Sequence, residues 1–142
     1  MEVIIGIDPG KSGAIAVLTP DGPDFIKLKE TEKDVSDFLK DFDGFAFIEN
    51  VNSSPQMGVV SAFKFGQSKG FLRGLLIALE IPFEEVSPQK WQGAMKCRTK
   101  GDKNITKAKA QELFPGLKIT HANADALLIA EYGRRVRNGE FV

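Results

Sequence analysis

An apolar run, Val3-Ile4-Ile5-Gly6-Ile7, ends in a carboxylate, Asp8, and is halted at once by Pro9-Gly10. The β-branched residues predict a buried strand over 3–8, and the Pro-Gly pair predicts a turn. Gly13-Ala14-Ile15-Ala16-Val17-Leu18 then reads as a second strand, over 13–19, returning beside the first. A carboxylate closing a buried strand is costly unless a cation or hydrogen-bond donors meet its charge. Two further acids share that setting: Glu49 ends Phe45-Ala46-Phe47-Ile48, and Asp125 opens Ala126-Leu127-Leu128-Ile129-Ala130. Singly, each has an ordinary explanation: a turn residue at Asp8, an ion pair at Glu49, a first-turn helix acid at Asp125. Together they match the donor set of a divalent-metal site.

The rest of the chain divides readily. Residues 24–29 read as a third strand after a turn at Pro20-Asp21-Gly22-Pro23. Residues 31–41 read as an amphipathic helix capped by Thr31, with Val35, Phe38, Leu39 and Phe42 on one face. A buried strand over 44–50, a polar loop over 52–56 and a long helix over 57–80, stopped by Pro82, come next. Residues 83–86 form a short strand, and Ser87-Pro88 opens a helix with proline at its first position. A basic loop over 95–103, a helix over 106–114 ended by Pro115-Gly116, and a helix over 123–137 complete the pattern. Strands that later alternate with helices predict a mixed α/β sheet covered on both faces. Ligands in such sheets gather at the carboxyl ends of the strands, where Asp8 and Glu49 fall. The chain of 142 residues has no repeat or low-complexity linker, which predicts one domain over 1–142.

Formal charge is zero but unevenly spread. Residues 1–50 hold 11 acidic and 5 basic residues, whereas 90–118 hold 8 basic and 2 acidic. Lys90, Lys96, Arg98, Lys100, Lys103, Lys107 and Lys109 therefore predict either a phosphate-binding face or a solvated surface. Lys11, in the turn after Asp8, has the same two readings, and Trp91 suits the core or a nucleotide. His121, the one histidine, precedes Asp125 by four residues. The two share a face if the helix reaches back that far, which suits His121 as a metal ligand or general acid/base. With Cys97 as the one cysteine, an intrachain disulfide and a thiolate zinc site are excluded. Met1-Glu2 leads straight into a strand, which predicts no signal peptide, and no apolar run of about 18 residues predicts a membrane span. The expected compartment is the cytoplasm.

Within the predicted helix 57–80, Gly58, Ala62, Gly66, Gly70, Gly74 and Ala78 recur every fourth residue. Each glycine inside a helix costs up to about 1 kcal/mol relative to alanine. A small-residue stripe offsets that cost by admitting another backbone closely. The other backbone is either the protein's own sheet or a second copy across a twofold axis.

These residues resemble the RuvC-type Holliday-junction resolvases, nucleases of the ribonuclease H-like and retroviral-integrase superfamily. Three motifs carry the resemblance: Gly6-Ile7-Asp8-Pro9-Gly10, Ile48-Glu49-Asn50-Val51, and Ala124-Asp125-Ala126-Leu127-Leu128-Ile129-Ala130. Gly66-Gln67-Ser68-Lys69-Gly70, Val86-Ser87-Pro88, Trp91 and the stretch from Lys107 to Pro115 keep the family order over nearly the whole chain. The resemblance implies a ribonuclease H-like α/β fold, a mixed five-stranded sheet flanked by helices on both faces. It implies Asp8, Glu49 and Asp125 as catalytic carboxylates holding two magnesium ions, with manganese able to substitute. The family places an acid or histidine three residues before the last aspartate; here Ala122 stands there, and His121 is the substitute one position earlier. A homodimer is implied through the long helix, at Ala62, Gly66, Gly70, Gly74 and Ala78. Its two sites would cut opposed strands of a four-way DNA junction symmetrically. The family's aromatic wedge follows the second carboxylate; Asn52 to Met57 has no aromatic, leaving Gln56 or Met57 to enter the junction, or no wedge. The implied function is a metal-dependent, structure-selective endonuclease resolving four-way junctions in recombination, repair or phage DNA processing. The alternatives are a broader flap or fork nuclease and a catalytically silent junction-binding module. The short length is similar to phage-borne versions, which work in the bacterial host cytoplasm.

Overall fold

The first strand, β1 (Ile4–Asp8), is the hub of the structure, a computed structural model that describes residues 2–51 and 55–141. Asn52, Ser53 and Ser54 of the expected polar loop lie outside the described residues. β1 pairs antiparallel with β2 (Ala14–Thr19) and parallel with β4 (Phe45–Glu49). β3 (Gly22–Lys27) joins β2 antiparallel on one edge, and β5 (Phe83–Val86) joins β4 parallel on the other. The order is β3-β2-β1-β4-β5, a mixed five-stranded sheet as the resemblance implies.

Side chains along a strand alternate between faces, and the sheet accordingly has two cores. Ile5, Ile7, Ile15, Val17, Ala46 and Ile48 meet Val35 and Leu39 of α1 (Glu32–Leu39) and Leu72 and Leu76 of α2 (Val59–Ala78). Ile4, Ala14, Ala16, Leu18 and Phe47 face the other way. They meet Trp91 of α3 (Pro88–Ala94), Ala110 of α4 (Lys103–Leu113) and the buried face of α5 (His121–Arg137). α5 lies directly on β1. A Cβ added at Gly6 would overlap the backbone nitrogen of Ala130 and the carbonyl oxygen of Ala126, so this strand position admits only glycine. Asp8 follows Gly6 by two residues and therefore faces α5 as well.

Several boundaries differ from the expected ones. The β2–β3 turn is only Pro20-Asp21, because Thr19 pairs with Gly22, whose φ of 115° suits glycine. Pro23 lies inside β3 opposite Leu18. Proline is tolerated there because β3 is an edge strand. α2 stops at Ala78, ahead of Pro82, with Glu80 in the left-handed region at φ 58°. α4 starts at Lys103, where Asp102 accepts a hydrogen bond from the Asn104 backbone. α5 starts at His121: Thr120 and Asn123 cap it reciprocally, each side chain bonding the other's backbone. Thr31 and Ser87 cap α1 and α3 as expected.

The small-residue stripe of α2 turns away from the sheet. A Cβ at Gly66, Gly70 or Gly74 would meet nothing within 4 Å, which removes packing on the protein's own sheet as the explanation. Ala78 is also exposed, and Ala62 is half-buried. Val59, Phe63 and Ile77 share that outer face and are 86%, 66% and 63% exposed. Among the described residues, no helix is long and apolar enough to cross a membrane.

Candidate active site

Strand register assembles the site. Ile7 pairs with Ile48, so the next residues, Asp8 and Glu49, stand side by side on the α5 face. Asp8 is also opposite Ala14, and Ala14 is opposite Lys27. One row across the sheet thus reads Lys27, Ala14, Asp8, Glu49. α5 contributes Asp125 one turn after His121. A cavity of about 300 Å³ opens here, with Asp8, Asp125, His121 and Thr106 on its walls. Four lysines, Lys11, Lys27, Lys29 and Lys103, also line it, as does Ala122. None of the four makes an ion pair among the described residues, so their charges remain available to an anion.

Glu49 does not line this cavity. It is only 6% exposed, and its Oε2 accepts a 2.7 Å hydrogen bond from Trp91 Nε1. Burial raises its carboxyl to about 6, and the Asp125 charge adds to the rise, while the Trp91 hydrogen bond opposes it. Burial also holds the Asp8 carboxyl well above its ordinary value, reinforced by the charges of Glu49 and Asp125 and opposed by Lys103. Asp125 is raised by burial as well, and Thr106, Lys103 and His121 pull it back. The Thr106 hydroxyl lies between two acceptors, donating to the Lys103 carbonyl at 3.2 Å and close enough to Asp125 to favour its ionised form. Trp91 is fully buried, so of its two readings the core holds, with the indole nitrogen serving Glu49. Replacing Trp91 with phenylalanine is expected to push the Glu49 carboxyl above about 6, because the ionised form loses its donor. A carbon-13 NMR titration of the glutamate carboxyls checks this; an unmoved or lowered midpoint would refute it.

Of the basic segment, only Lys103 reaches the cavity. Lys90, Lys96, Arg98 and Lys100 are exposed elsewhere, Lys107 is half-buried, and Lys109 lies 3.8 Å from the Glu112 carboxylate. Gln56 is exposed and Met57 half-buried. Sequence reasoning passed over Lys27, Lys29 and Thr106, and left Lys11 undecided. Their one legible signal was the hairpin register that carries Lys27 back to the level of Asp8.

The donors suit a hard cation. Burial raises all three carboxyls, and the charges of Glu49 and Asp125 add to the rise at Asp8, so a divalent ion relieves the cost of ionising them. Among the described residues, no group of three or more His, Cys, Asp or Glu side chains is gathered closely enough to hold a metal ion by itself. Magnesium needs none, since it retains several waters and takes one or two carboxylates plus substrate oxygens.

No family model matches the chain, and no curated protein does. Two solved structures are similar over almost their whole length. Thermus thermophilus RuvC has a TM-score of 0.68 and 20% identity, covering 97% of each chain. T. thermophilus RuvC in complex with Holliday junction substrate has a TM-score of 0.68 and 18% identity, covering 99% of this chain and 98% of that one. The chain therefore has the ribonuclease H-like α/β fold of RuvC, and the likeness read from its motifs extends to the whole architecture.

Proposed function

We propose that this chain is a divalent-metal-dependent endonuclease that resolves four-way DNA junctions by paired nicks. One observation carries the proposal: Asp8 and Asp125 share a cavity with four lysines that form no ion pair among the described residues, and the Asp8 carboxyl feels the charges of both Asp125 and the adjacent, buried Glu49. Carboxylates that would hold a divalent ion, next to free lysine charges, complement a phosphodiester. The neighbour solved with Holliday junction substrate supports a junction as the DNA form.

Asp8, Asp125 and Glu49 would hold the metal, with His121 at the edge. A bound pair of magnesium ions supplies a more acidic water and neutralises charge on the leaving oxygen. Lys11, Lys27, Lys29 and Lys103 receive the phosphodiester and offset its charge as it meets the acidic floor. Trp91 fixes the Glu49 carboxylate in one orientation. His121, which lines the cavity with Asp125, would be the candidate general acid or base. The outward apolar stripe of α2 supports a twofold homodimer, since Val59, Phe63 and Ile77 flank glycines that allow close helix approach.

The test is cleavage of an immobile four-way junction beside a linear duplex and a flap, with magnesium and with chelator. Symmetric paired nicks on the junction alone, lost with chelator, are expected. Equal cutting of flaps would make the chain a general branched-DNA nuclease. Tight junction binding with no cleavage under any divalent metal would make it a binding module.

A second outcome concerns metal and pH. Because folding raises the carboxyl of Glu49 to about 6, and those of Asp8 and Asp125 above their ordinary values, ionising them costs the folded state. The stability these groups contribute is full below their unfolded values and lost as pH rises through the folded ones. A divalent ion binds the ionised forms, so its stabilisation should grow with pH. Magnesium at about a hundred times its dissociation constant stabilises by about 2.7 kcal/mol. Melts at about pH 8 should therefore rise by several degrees, and melts at about pH 5 hardly at all. Equal shifts at both, or none, would count against the metal site.

A further inference from the structure

The N-terminal half of α2 stands off the sheet and leaves a groove of about 810 Å³ beneath it. The groove is bounded by α2, the turn after β1 and the connection from β3 into α1. It shares Lys11, Ser12 and Lys29 with the 300 Å³ catalytic cavity. Its apolar wall carries Phe65 and Phe71, and its polar lip carries Lys64, Gln67 and Ser68. The Ser68 hydroxyl also accepts from the Gly10 backbone at 3.4 Å, tying this wall to the turn beside Asp8. Lys64, Phe65, Ser68 and Phe71 lie on the opposite side of α2 from the outward stripe of Val59, Phe63, Gly66 and Gly70, given 3.6 residues per turn. A partner helix on that stripe would leave the groove open.

We infer that this groove binds an unpaired nucleotide of the strand being cut, one or two positions from the scissile phosphate. The inference rests on the nuclease reading for the identity of the strand. Lys11 and Lys29 form the bridge between the cavities, so a backbone leaving the catalytic floor crosses cationic ground before entering the groove. Lys64 continues that line on the α2 side, while Glu30 and Glu32 on the other rim repel phosphate and turn it toward the lysines. Ligand pockets run from about 300 to 1,000 Å³, so a nucleotide fits. Half-buried phenylalanine rings offer stacking to any base, and glutamine and serine offer partners to its edge. A base that stays paired and stacked in a duplex is not free to stack on these rings. The groove therefore selects DNA that is opened next to the cut, as at a branch point.

The test places 5-iodouracil at each of the first three positions on either side of the mapped cut. The junction is bound to Asp8→Asn protein, irradiated, and the crosslinked peptide is identified. Crosslinks to Phe65 or Phe71 from one side of the cut are expected. Phe65→Ala should weaken binding of a single-stranded oligonucleotide roughly tenfold. Lys64→Ala with Gln67→Ala, on exposed positions that folding does not need, should weaken it as well. Crosslinks confined to residues outside the groove, or unchanged oligonucleotide affinity in both variants, would overturn the inference. A protein that cuts junctions without groove crosslinks loses the groove and keeps the nuclease reading. A protein that cuts no junction but crosslinks single strands through Phe65 keeps the groove and loses the nuclease reading.

Discussion

Asp8→Asn is expected to lower junction cleavage by about a thousandfold or more while leaving junction binding nearly intact. Asp8 is next to Glu49 by strand register and shares the cavity wall with Asp125. Asparagine keeps its size and one oxygen but removes the charge that would hold the metal. Binding should survive because, on the proposed reading, the lysines of the cavity would receive the phosphates and the acids would not. The variant should also melt higher than the parent in the absence of metal. Asp8 is held well above its ordinary value by burial and by Glu49 and Asp125, so its ionisation destabilises the fold at high pH. That gain should fade as pH falls and the parent's Asp8 takes up its proton. Activity lost together with melting temperature gained separates a missing metal ligand from a misfolded protein. Cleavage within tenfold of the parent, measured on the same junction, would remove Asp8 from the mechanism.

Gly70→Leu should convert a dimer into monomers and replace paired cuts with single nicks. In the lone chain, a side chain at Gly70 meets nothing within 4 Å. Leucine is also the better helix former by up to about 1 kcal/mol, so the monomer should fold at least as well. At a close helix–helix contact the same side chain forces the backbones apart. Sedimentation velocity should show the apparent mass falling from twice the chain mass to one, with circular dichroism unchanged. On a junction, the ratio of resolved duplexes to nicked junctions should collapse, because two linked sites are needed for symmetric resolution. An unaltered dimer would mean that the exposed stripe serves another partner.

Much of the scaffold was legible because it is local. β1, β4 and their terminal acids announce themselves by apolar runs that stop at a charge, and Thr31 and Ser87 mark helix starts by side-chain chemistry. His121 was half legible. Its spacing to Asp125 is helical, but only the reciprocal Thr120–Asn123 cap brings the helix back far enough to place both on one face. The lysines that line the cavity were not legible, for a physical reason. Charge was sought in the basic stretch of residues 90–118, yet Lys11, Lys27 and Lys29 come from the acidic first 50 residues. A net count over a segment carries no record of which side chains the sheet turns to one point.

Local patterning is enough to mark which segments become strands and helices, that the sheet is mixed, and that three acids end up at polar tips of apolar elements. Periodicity, turns and caps act over a few residues and need no distant partner. Three other matters depend on contacts between distant parts of the chain. Register set Lys27 level with Asp8, with Ala14 between them. Packing brought Trp91 to Glu49 from 42 positions away. The seating of α2 by Leu72 and Leu76 turned its glycines outward and opened the groove beneath its first turns. A stripe of glycines fits a sheet or a partner equally well, and the choice is made by which opposite face has enough apolar surface to bury.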